Sequence, residues 1–149
     1  MTVYPTVSFD DLKVGQTFKT GTYKVTKDEI IAFAKQYDPQ VFHTDEEAAK
    51  KTFFKGLVAS GWHTLSLSMR LMVDAKPYGD TPLVGMGGDT LRFSAPVYPD
   101  DELHVEAEIK ELRPSSKDNT RGYGLVELVT YANGEREVAR QNWRMLIPR

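Results

Sequence analysis

The stretch Leu57-Val58-Ala59-Ser60-Gly61-Trp62-His63-Thr64-Leu65-Ser66-Leu67-Ser68-Met69-Arg70-Leu71-Met72-Val73-Asp74 decides the fold. Leu57, Val58, Trp62, Leu65, Met69, Met72 and Val73 recur with the 3.6-residue period of a helix. Ala59, Leu67 and Leu71 widen the apolar surface beyond one stripe, and a helix apolar on most sides is a buried one. Ser60, Gly61, His63, Ser66, Ser68 and Arg70 make the segment too polar to span a bilayer. Pro77 and Gly79 end it.

C-terminal to this helix, beyond about residue 82, the period drops to two. Leu91 and Phe93 alternate with Thr90, Arg92 and Ser94, and Leu103, Val105, Ala107 and Ile109 with His104, Glu106, Glu108 and Lys110. Tyr123–Tyr131 is apolar on both faces, as in a central strand. Ala139, Gln141, Trp143, Met145 and Ile147 share a face, and Asn133-Gly134 before them is a two-residue hairpin signal. His104 is expected to face solvent. Gly85-Met86-Gly87-Gly88-Asp89 lacks the spacing of a nucleotide loop and predicts a bulge or a close backbone approach.

On the N-terminal side, Thr17–Val25 reads as one strand. Thr26 and Glu29 form a capping-box pattern before a helix over Lys27–Tyr37. Asp38-Pro39 stops that helix, because the residue before proline is pushed out of the α region. Residues 45–51 make a second, short helix with acids leading and bases trailing. The order is strand, helices, then about four strands, which is an α+β domain over residues 1–149, with a sheet of about five strands wrapped around one apolar helix.

Composition excludes several classes of function. Nineteen Lys and Arg against twenty-one Asp and Glu leave a net charge of −2, no footprint for nucleic acid or an anionic membrane. With no Cys and three His, disulfides, thiol nucleophiles and cysteine-based zinc sites are ruled out, and no metal site is expected. Met1–Thr6 has neither the charge nor the apolar run of a signal peptide, so a cytoplasmic protein is expected. Ser60 lacks a Gly-x-Ser-x-Gly elbow, against a serine hydrolase.

The segment that can carry chemistry is Tyr37-Asp38-Pro39-Gln40-Val41-Phe42-His43. Pro39 prevents one continuous helix, so Asp38 and His43 sit on a bend that can turn both side chains to one point. Tyr37, Val41 and Phe42 supply apolar walls. An acid and an imidazole facing each other there can hold a water and move its protons, with burial and mutual charge tuning both toward neutral pH. The spacing alone also fits ordinary turn and cap residues. His63 is expected to be a core or interface group.

The same segment resembles the signature of the MaoC-like dehydratases, or type 2 (R)-specific enoyl-CoA hydratases. The Asp and His positions of that signature match Asp38 and His43, while Gln40, Val41 and Phe42 replace the usual Asn, Pro and Leu, and Tyr37 the usual Gly. Asp11–Phe18, Gly56–Thr64 and Leu91–Asp101 resemble further family segments, with Ser60-Gly61 where His-Gly is usual and Asp100 where glycine is usual. The resemblance implies a hot-dog fold and a hydro-lyase. Water adds to a trans-2-enoyl thioester held by CoA or an acyl carrier protein, giving an (R)-3-hydroxyacyl thioester, or leaves in the reverse dehydration. It implies no cofactor, a homodimer, and the backbone N–H of Gly61 as donor to the enolate oxygen; for Gly61 close packing is the other reading. Some of the scattered Arg and Lys are candidates for the CoA phosphates, with none singled out. A thioesterase on the same fold and a silent acyl-thioester-binding subunit are the alternatives.

Overall fold

A computed structural model describes residues 6–82 and 84–149. After a 3-10 turn at Phe9–Asp11 come β1 (Thr17–Lys19), β2 (Tyr23–Lys24), α1 (Lys27–Tyr37), α2 (Val41–Thr44), α3 (Glu46–Ala49) and α4 (Gly61–Ala75). The chain then runs through β3 (Val84–Gly87), β4 (Leu91–Phe93), β5 (Glu102–Pro114), β6 (Arg121–Ala132) and β7 (Arg136–Pro148). The strands form one antiparallel sheet in the order β1-β5-β6-β7-β3, with β2 also on β5 and β4 also on β7.

The apolar alternation of β5, β6 and β7 turns Val105, Val126, Leu128 and Met145 into one core with Leu67, Leu71 and Met72 of α4. A buried polar contact crosses the same layer. Ser68 donates to the Thr64 carbonyl or bonds Thr130, whose hydroxyl lies 2.6 Å away.

Several sequence expectations change, each for a local reason. The strand over Thr17–Val25 is two strands, because the Thr20 hydroxyl accepts the Val105 N–H that a strand carbonyl would otherwise take. Glu29 fulfils half of the capping box: its N–H bonds Thr26, but its carboxylate receives the Tyr23 hydroxyl. α4 begins at Gly61, not Leu57. The N–H groups of Val58 and Ala59 bond the Phe42 and Val97 carbonyls, so Leu57–Ala59 is extended chain buried by its neighbours. Nor is α4 buried all round: Trp62, Met69 and Val73 form an exposed stripe, with Trp62 62% accessible.

The run after residue 82 holds five strands rather than four. Asn133 and Gly134 both take positive φ as the hairpin requires, yet the loop has three residues, since Ala132 pairs with Arg136. His104 is buried rather than solvent-facing, because Tyr131, directly across the ladder, stacks over it at 5.3 Å. The glycine run does form an irregularity: register shifts between Gly85 and Gly87, and a side chain at Gly88 would strike the Asn142 carbonyl.

Candidate active site

Pro39 sets the geometry. α1 closes on the Asp38 N–H, which bonds the Ala34 carbonyl, and the chain reverses through Pro39 so that Gln40 caps α2. That single turn of helix carries His43 back over the end of α1, with Nε2 3.3 Å from Asp38 Oδ2. His43 Nδ1 lies 2.6 Å from the Val58 carbonyl oxygen. A carbonyl only accepts, so Nδ1 carries the proton and Nε2 faces the acid. Phe42 packs edge-on against the imidazole at 4.5 Å.

Asp38 is fixed as firmly. Ser60 Oγ donates to its Oδ2 at 2.7 Å and Gln40 Nε2 to its Oδ1 at 2.7 Å. Burial pushes the Asp38 pKa up, but the bonds from Gln40 and Ser60 and the nearby His43 outweigh it, so the carboxyl titrates below its ordinary value. The expected tuning toward neutral pH is therefore reversed at Asp38: it is a carboxylate wherever the protein is folded near neutrality.

Gly61 completes the group. It is the first residue of α4, and its N–H bonds nothing among the described residues. The ring of Phe93 lies where a Cβ would be, 2.5 Å from that position. Close packing thus holds at Gly61, and it leaves the amide free. Asp38, His43 and Gly61 line one cleft of about 470 Å³ with Trp62, Phe54 and Phe93.

His63 stands outside this cleft. It is buried, stacked on Phe33 at 4.7 Å, with Nε2 3.7 Å from Glu29 Oε1. Burial lowers its pKa against the pull of Glu29. The sequence reading missed Ser60 and Gln40 as the groups that hold Asp38. The position of Ser60 beside Gly61 is the one signal the sequence offers for it.

A helix under an antiparallel sheet is the hot-dog fold, and comparison with known proteins agrees. Residues 10–129 match the MaoC like domain, and the chain belongs to that family. It is 41% identical over 143 residues to the uncharacterized protein YdeM of Bacillus subtilis, covering 96% of this chain and 100% of YdeM. The crystal structure of the MaoC-like dehydratase from Rhodospirillum rubrum superposes with a TM-score of 0.87 at 36% identity, covering 96% of this chain and 97% of that one. The unliganded (R)-hydratase PhaJ1 from Pseudomonas aeruginosa shares the fold, with a TM-score of 0.78 at 24% identity over 98% of this chain and 88% of its own.

Proposed function

We propose that the protein is a hydro-lyase that adds water to a trans-2-enoyl thioester to give an (R)-3-hydroxyacyl thioester, or removes it in reverse. One observation carries this reading: Asp38 Oδ2 and His43 Nε2 lie 3.3 Å apart on the wall of the cleft that Gly61 also lines. A water placed at their apex can bond both groups, giving a hydrogen to the carboxylate. Its oxygen lone pair is then free to attack C3 of the enoyl group. One of the pair takes the water's proton and a proton is returned to C2. The negative charge that passes through the thioester oxygen meets the free Gly61 N–H and the positive end of α4. The (R) configuration follows the hydratases named among the structural neighbours.

Crotonyl-CoA separates this from the thioesterase. Hydration removes the enoyl absorbance and releases no thiol; hydrolysis releases a thiol that a disulfide reagent detects. Thiol release with crotonate as the product, or binding without either signal, would overturn the hydro-lyase.

We further propose a homodimer. Val84, Met86, Leu91 and Phe93 on β3 and β4 are exposed, as is the stripe of α4, and an exposed apolar margin beside strand edges suits pairing with a second copy. Sedimentation should give twice the 16.8 kDa chain mass, and Met86→Glu should shift the mass toward the monomer. A monomeric wild type at micromolar concentration would refute it.

A further inference from the structure

We propose that the turn over residues 52–55, at the rim of the cleft, seats the adenine nucleotide end of a CoA thioester; the proposal rests on the thioester reading above. Phe53 is 91% exposed. Burying a phenylalanine is ordinarily among the larger favourable terms in folding, so a ring held in water by an ordered turn needs a reason. The turn is ordered. Thr52 Oγ1 donates to the Ala49 carbonyl at 2.7 Å, the Lys51 N–H bonds the Ala48 carbonyl and the Lys55 N–H the Thr52 carbonyl. Lys55 sits at φ +61, a conformation that residues other than glycine rarely adopt.

The ring is connected to the chemistry. Phe53 meets Phe54 edge-on at 5.7 Å, Phe54 meets Phe42 at 5.2 Å, and Phe42 meets His43. A row of aromatic rings runs from solvent to the imidazole. The charge around it is specific too. Glu46 is paired with Lys27 and Glu47 with Lys50, so the nearby carboxylates of α3 are neutralised. Lys51 and Lys55, both exposed, form no ion pair among the described residues.

One exposed ring, with an exposed lysine two residues before it and another two after it in the chain, complements an aromatic base carrying phosphates. Bases stack on exposed aromatic rings, and lysine ammonium groups bind phosphates as point charges. A carrier protein fits less well, because a protein partner covers roughly 800 Å² on each side and the positive charge here is confined to two side chains about one ring.

Crotonyl-CoA and crotonyl-pantetheine differ in the nucleotide and share the reacting end. The wild type should show a KM about ten-fold higher for the pantetheine thioester. Phe53→Ala and the double variant Lys51→Ala/Lys55→Ala should each raise KM for crotonyl-CoA by about five- to ten-fold, the scale of one lost stacking or phosphate contact. Their kcat with crotonyl-CoA and their KM for crotonyl-pantetheine should not change. Calorimetric titration with CoA itself should show the same weakening and a loss of affinity at high salt. That titration needs no turnover, so it tests the nucleotide seat even if the hydro-lyase reading fails. Equal KM for the two thioesters, variants that shift both alike, no CoA binding by the wild type, or a preference for a crotonyl carrier protein that the variants abolish would each overturn the proposal.

Discussion

Asparagine at position 38 is expected to lower hydration of crotonyl-CoA by about 10²–10⁴-fold, the usual contribution of a positioned general acid–base group, while leaving the fold intact. The substitution keeps the side-chain volume and one oxygen acceptor. Gln40 and Ser60 both donate to the carboxylate, and the amide can still accept from Gln40 while Ser60 rotates to accept from its NH2 group. What disappears is the negative charge facing His43 and the ability to take a proton from water. His43→Gln should cause a loss of similar size, because no group of comparable basicity then faces Asp38. Steady-state rates alongside thermal melts check both. Near-wild-type turnover in either variant would remove the pair from the mechanism.

The same residue makes a pH argument with a definite sign. Its folded-state pKa lies below the ordinary value because hydrogen bonds and His43 outweigh burial. The stabilisation this represents is present above the unfolded pKa and is lost as pH falls through the folded one. Asp38→Asn should therefore be less stable than the wild type near neutrality, and the difference should shrink in acid.

Much of this was legible in the sequence because it depends on local pattern. The two-residue period marked β5 and β7, the doubly apolar run marked β6, and Pro39 put Asp38 and His43 on a bend able to bring them together, and they lie 3.3 Å apart. Asp100, where the family resemblance leads one to expect glycine, adopts φ +71, a region that aspartate tolerates better than most residues. What could not be read is what tertiary partners decide. The apolar pattern of Leu57–Ala59 is compatible with a helix, and only the bonds to Phe42 and Val97 make it extended. Ser60 sits twenty-two residues from Asp38, and no periodicity links a hydroxyl to an acid at that separation. His104 obeys its strand alternation and is nonetheless covered, because burial on an outer face depends on the neighbour across the ladder.

Proline at position 61 is the sharpest test of the oxyanion donor. Gly61 is the first residue of α4, where proline is tolerated, and Ser60 at φ −56, ψ 143 already has the extended conformation that precedes proline. The only backbone donor deleted is an N–H that bonds nothing among the described residues. Alanine at the same position is the control. Both side chains bring a Cβ against the tip of the Phe93 ring, so that contact is common to the two variants, and alanine keeps the N–H. Gly61→Ala should fold and retain partial activity. Gly61→Pro should melt close to Gly61→Ala and fall a further 10²–10³-fold in kcat, the equivalent of about 2.7–4 kcal/mol for one lost oxyanion donor. Equal rates for the two variants would show that the developing charge is stabilised elsewhere. The comparison also separates two effects that coincide at a helix end. The fifteen-residue α4 keeps its other aligned peptides in both variants, so its field at the cleft is nearly the same, and a gap between proline and alanine measures the hydrogen bond rather than the dipole.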